Sequence, residues 1–212
     1  MSDFAAQRTR MVEHQLRERG IKDERVLAAM GEVPREEFVG ERRREMAYAD
    51  AALPIGSEQT ISQPWIVAAI LQALELQGEE SVLEIGTGSG YSTCLLGRLA
   101  GHVVSVERHA GLARSAAEHL RACRAQNVEL MVGDGSRGVP GRGPFDAIAV
   151  HAAAPAPPPA LLEQLADGGR MVVPVASDGE EMLTALRRHG AEIESIALAP
   201  CRFVPLIGAE GF

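Results

Sequence analysis

Residues 82–91 read VLEIGTGSGY: a short apolar run holding one acid, then glycines at 86, 88 and 90 that open into a helical pattern. The run predicts a buried strand ending in a tight turn, where glycine lets the backbone take positive φ and approach a ligand closely. The chain beyond it keeps the same rhythm. Apolar, β-branched strands are predicted at 81–85, 102–107, 128–132, 145–150 and 170–175, with helices at 64–76, 92–100, 111–124 and 159–166. Such alternation predicts an α/β fold with a doubly wound, mostly parallel sheet, and ligands outside the carboxyl ends of the strands.

Four of those ends are informative. The first delivers Glu84 and the glycines, and the second, HVVSVE, ends in Glu107, an acid suited to accept hydrogen bonds from a ribose diol. The third ends in GDG at 133–135, where Asp134 serves either as a turn residue or as an acceptor for an adenine amino group. The fourth runs into HAAAPAPPP, which leaves room for a ligand or leads into a helix. Spacing narrows the nucleoside. A dinucleotide fingerprint would put its third glycine where Tyr91 stands, yet the third glycine is Gly90. G-x-G-x-G preceded by an acid, here Glu84, is similar to the first motif of Rossmann-like methyltransferases. Their ligand, S-adenosylmethionine, carries no phosphate, so no pyrophosphate cradle is needed.

Composition removes other classes. The 212 residues, 46% apolar, suit one substantial core with a small appended subdomain. No stretch approaches the roughly 18 apolar residues that span a bilayer. The opening MSDFAAQRTRMVEHQLRERG is charged throughout and lacks the apolar core of a signal peptide, so a cytoplasmic protein with no membrane partner is expected. Cys94, Cys123 and Cys201 are odd in number without a C-x-x-C pair and read as reduced thiols. The six histidines show no metal-binding spacing, so no metal site is predicted. A net charge of −8 argues against nucleic acid as the main partner.

Two organisational units are expected, integrated into one domain. Residues 1–63 form an N-terminal helical cap and a loop, with helical spacing over 11–19 and 23–30, Asp23 as N-cap, and a restart after Pro34. The loop, 52–64, is rich in Gly, Ser, Thr, Gln and Pro and predicts irregular structure able to present hydroxyls and backbone donors. Residues 64–212 form the Rossmann-like core. Its tail departs from the alternation, and 182–188, 192–198 and 202–207 are read as terminal strands, antiparallel at least in part.

The segments LRERGIKDERVLAAMGEVPREEFV, LPIG with QTISQP, VLEIGTGSGY, GDG, FDAI, AAAP with LLEQL, GGRMVVPV and RFVPL occur in this order over nearly the whole chain. Together they resemble the protein-L-isoaspartate O-methyltransferase family, a group of S-adenosylmethionine-dependent repair enzymes. The resemblance implies methylation of the free α-carboxylate of L-isoaspartyl residues in damaged proteins and peptides, with no nucleic-acid partner and a monomeric enzyme. The family's catalytic serine falls at Ser62, in TIS. Its cofactor contacts carry over to Gln59, Thr60, Ile61 and Ser62 of the loop, and to Glu84, Gly86, Gly88, Glu107, Asp134 and Gly135. RFVPL is expected to pass beside the substrate main chain. Read without the family, Ser62 or Thr60 also suits a cap for the helix entered through Pro64. Two residues depart from the family pattern: His151 stands where a small or hydroxyl residue is expected, either as a packed neutral imidazole or touching substrate, and Ala176 replaces a glycine. The alternative reading is a dedicated peptide aspartyl O-methyltransferase that forms an aspartimide in a biosynthetic pathway.

Overall fold

The computed structural model describes residues 3–177 and 179–212. Seven strands form one sheet in the order β5-β4-β3-β6-β7-β8-β9. The parallel part comprises β3 (Ser81–Ile85), β4 (His102–Glu107), β5 (Val128–Val132), β6 (Phe145–Val150) and β7 (Leu165–Ser177), and β8 (Glu180–His189) and β9 (Glu192–Pro200) follow antiparallel. Four parallel strands begin and end where the sequence predicts. Their side chains alternate between two cores. Val82, Val103, Ala147, Ala149 and Val172 face one hydrophobic cluster, while Leu83, Val104, Ile148, Val150 and Met171 face the other.

The first cluster extends without a break into the N-terminal cap. There α1 (Phe4–Arg10) continues through a π-helical turn, Met11–Leu16, and a 3-10 turn, Arg17–Arg19, until Gly20 at φ 94° ends it. Helix α2 (Glu24–Glu32) is capped by the Asp23 carboxylate, which accepts from the N–H groups of Arg25 and Val26. Gln72 of α3 (Pro64–Ala73) accepts from the N–H groups of Lys22 and Asp23, at 2.6 and 3.0 Å, tying cap to core. Helices α4 (Tyr91–Leu99), α5 (Ala110–Ala122) and α6 (Pro159–Glu163) connect the strands.

Three expectations need correction. The loop at 52–64 contains an antiparallel hairpin, β1 (Leu53–Gly56) and β2 (Gln59–Ile61). Its two-residue turn holds Ser57 and Glu58 at φ 49° and 59°, the left-handed geometry that matches the twist of paired strands. The segment 202–207 is not a strand. Pro205 lacks an N–H, and the segment is held by a bridge to Ala153, with Leu206 N–H donating to the Ala153 carbonyl at 2.7 Å, and by the Phe203 N–H, which donates to the Glu181 carboxylate at 2.6 Å. Helix α6 stops at Glu163 because Leu165 already pairs with Phe145, and β7 runs from Leu165 through the Asp-Gly-Gly segment instead of starting at 170. Ala176 continues β7 opposite Glu181, its N–H donating to the Ala154 carbonyl. The outermost strand, β9, is exposed along nearly its whole length.

Candidate active site

The sheet order reverses at β3, with β4 on one side and β6 on the other, which opens a crevice at their carboxyl ends. A cavity of about 420 Å³ lies there. Its walls are the glycine turn after β3, the end of β4, the start of the β6 exit loop, the hairpin at 57–62 and the tail at 204–207.

The turn depends on backbone geometry that side chains resist. Gly86, Gly88 and Gly90 take φ of 92°, 56° and 86°, and the Gly86 N–H donates to the Val106 carbonyl at 2.9 Å. Glu107, 4% exposed, holds the turn from the next strand. One carboxylate oxygen accepts the Gly88 N–H and the other the His109 N–H, each at 2.8 Å. A carboxylate offers about four lone-pair sites, so two remain for a diol. Gly135 completes this end: a Cβ there would lie 2.6 Å from Ile85 Cγ2, so only glycine lets the loop approach.

Not every sequence-predicted contact reaches the cavity wall. Gln59, Thr60, Ile61, Ser62, Gly86, Gly88, Glu107 and Gly135 line it, whereas Glu84 and Asp134 do not. Glu84 is completely buried beneath the turn, its Oε2 accepting from the hydroxyls of Thr93 and Ser105, both at 2.6 Å. Asp134 faces outward and accepts from the Ser136 N–H and hydroxyl and from the Ala209 N–H. Its partial burial works to raise its pKa. The Ala209 and Ser136 hydrogen bonds and the Arg137 charge outweigh that and hold the carboxyl below its ordinary range.

Ser62 sits at the end of the hairpin. Helix α3 has Gln63 as N-cap with no side-chain hydrogen bond, so neither Ser62 nor Thr60 serves as a cap. The residue that sequence reasoning missed is Arg35. It is fully buried, donates from Nη2 to the Ser62 carbonyl and from Nε to the Ala47 carbonyl, both at 2.8 Å, and stacks 5.0 Å over the Tyr91 ring. Burial pushes its guanidinium below the ordinary arginine value and pushes the Tyr91 phenol up to about 12. Arginine is seldom fully buried, so Arg35 reads in sequence as one more surface charge.

His151 leaves β6 beside the turn, its backbone N–H donating to the Ile85 carbonyl at 2.8 Å. Its side chain is 7% exposed, lines the cavity, and carries Nε2 to 3.3 Å from Glu84 Oε1.

The profile of the protein-L-isoaspartate(D-aspartate) O-methyltransferase family matches residues 6–211. The protein-L-isoaspartate O-methyltransferase of Koribacter versatilis is 50% identical over 212 residues, covering all of this chain and 96% of that one. Among solved structures, a protein-L-isoaspartate O-methyltransferase superposes with a TM-score of 0.87 at 28% identity, covering 96% of this chain and 67% of the other. A Plasmodium falciparum protein of the same description, crystallised with S-adenosyl-L-homocysteine, superposes with a TM-score of 0.82 at 24% identity over 94% of this chain and 98% of its own, a likeness of fold.

Proposed function

The chain belongs to the protein-L-isoaspartate(D-aspartate) O-methyltransferase family, and from that membership we propose that its cavity methylates the free α-carboxylate of L-isoaspartyl residues. The observation that carries this reading is the meeting of three strand ends with the Ser62 hairpin in one cavity. S-adenosylmethionine supplies an electrophilic methyl on a sulfonium. The lining fits such a group: two free acceptor sites on Glu107 suit the ribose, and the close approach at Gly135 suits a flat base. Gln59, Thr60 and Ile61 flank the same volume, while Glu84 supports the turn from beneath and Asp134 anchors the loop that carries Gly135.

A substrate carboxylate with a pKa near ~4 is ionised at neutral pH, so no strong base is required. The task is positioning, and oriented reactants gain most from it. Ser62 is assigned to orient the carboxylate through its hydroxyl, and Arg35, holding the Ser62 carbonyl, fixes the hairpin end. In the methyl ester the carbonyl carbon can lose methoxide, where a carboxylate would have to expel oxide, so the following backbone nitrogen attacks it, methanol leaves and a succinimide closes, whose hydrolysis returns some normal aspartate. The groove should accept many peptides, with 202–206 beside their main chain. We further propose a monomer acting in the cytoplasm, a compartment suited to the unpaired thiols of Cys94, Cys123 and Cys201. The aspartimide-forming alternative draws no support from relatives that share the repair family's name over full length.

The test is transfer of labelled methyl to matched peptides holding L-isoaspartate or L-aspartate at one position. Base-labile label in the isoaspartyl peptide alone is expected. Equal labelling of both, or of neither, would overturn the substrate assignment.

A further inference from the structure

Among the buried polar atoms at or just behind the cavity wall that have no hydrogen-bond partner, beside the Tyr91 hydroxyl, are Glu84 Oε1 and both ring nitrogens of His151. Native interiors leave few such atoms unpaired. The two residues are 3.3 Å apart, within ion-pair range although misaligned for a hydrogen bond. His151 is on the wall and Glu84 lies behind it.

Charge indicates what this pair does. Glu84 is fully buried and its other oxygen is satisfied only by neutral hydroxyls, so His151 is the group in contact that can cancel its charge. The other charged groups on the wall are Glu58, Glu107, Arg108 and His109. A carboxylate entering this cavity shares its wall with the carboxylates of Glu58 and Glu107 and the guanidinium of Arg108, and an unbalanced Glu84 would add a third carboxylate. Like charges within several ångströms repel strongly in partly desolvated surroundings.

We propose that His151, held 3.3 Å from the buried Glu84 carboxyl, is a specificity-determining residue that makes the cavity accept an anionic carboxylate. The inference rests on the reading of this cavity as the isoaspartyl carboxylate site. It also predicts a kinetic signature. Methyl transfer neutralises both the sulfonium and the carboxylate, so a compensating charge favours the ground state at least as much as the transition state. His151 therefore acts on KM more than on kcat.

The experiment compares binding of an isoaspartyl peptide with that of its preformed methyl ester, in the presence of S-adenosylhomocysteine. Proteins tested are wild type, His151→Gln and the double variant Glu84→Gln/His151→Gln, each checked for unchanged thermal unfolding. His151→Gln should lose about tenfold in affinity for the carboxylate peptide and less than about twofold for the ester and for S-adenosylhomocysteine. The double variant, which removes the charge that His151 balances, should regain most of that loss. An unchanged preference for carboxylate over ester, an equal loss for both peptides, or no recovery in the double variant would each overturn the proposal. Absence of methyl transfer by the wild type would refute the reaction assignment instead, because the His151 result is read from binding.

Discussion

Arg35→Met removes the guanidinium that joins the cap to the hairpin while keeping a shorter, unbranched apolar stem. Wild-type Arg35 donates two charged hydrogen bonds, to the carbonyls of Ala47 and Ser62 at 2.8 Å. Bonds to charged groups are worth roughly 1.5 to 3 kcal/mol each, giving a gross loss of about 3 to 6 kcal/mol. Against that stands relief of a buried cation, whose desolvation costs several kcal/mol. The guanidinium is fully buried and its Nη1 has no partner, so the relief is substantial. A net destabilisation of about 2 kcal/mol is expected, read as a lower urea midpoint with an unchanged slope. The functional effect should be larger. With the Ser62 carbonyl released, a drift of about 1 Å at the hairpin end would cost on the order of a hundredfold in kcat. Arg35→Lys, which keeps the charge but not the planar fork, cannot serve both carbonyls and should recover stability better than rate. If Arg35→Met matched wild type in both midpoint and kcat, the claim that this guanidinium holds the hairpin would be wrong.

Glu107→Ala should weaken cofactor binding by roughly 1.5 to 3 kcal/mol, measured by calorimetry; because Glu107 also holds the Gly88 N–H, Glu107→Gln should fall between, and unchanged affinity in both would remove Glu107 from the site. Ser62→Ala should keep cofactor affinity while lowering kcat, and full activity would leave the hydroxyl without its assigned role. The depressed pKa of Asp134 means that its tie to the tail contributes stability above the unfolded value of about 4 and loses it as pH falls through the lower folded value. Amide-exchange protection at Ala209 should therefore drop on acidification in wild type and be low at every pH in Asp134→Asn; a pH-independent wild type would contradict this.

The sequence made the sheet legible because its central parallel strands, β3, β4 and β6, are buried on both faces, and their apolar runs leave little choice of boundary. The glycine turn and Glu107 were legible for a related reason: tight turns demand particular residues. The hairpin was not, since strands of four and three residues are too short to show an alternating pattern and their turn uses Ser57 and Glu58 where Asn-Gly would have announced it. Residues 202–207 mislead in the opposite direction. Their apolar run has the composition of a strand, but Pro205 interrupts the ladder. Arg35 was invisible because its function arises from contacts with residues 12 and 27 positions away. Glu84 and Asp134 sit at the expected strand ends, yet their side chains turn under or away from the cavity, and one-dimensional position does not encode that direction.

The open flank of the sheet has a practical side. Strand β9 ends the ladder with unpaired backbone groups, and Ile193, Ile196 and Leu198 stand 37%, 55% and 39% exposed along it. Such an edge is a template for pairing with another chain, and charges are what deter it. Here the deterrents are Glu192 and Glu194, whose repulsion salt screens within about 10 Å at 0.1 M. Storage conditions thus become a structural variable: concentrated stocks should remain clear longest in dilute, mildly alkaline buffer, and salting them should hasten turbidity.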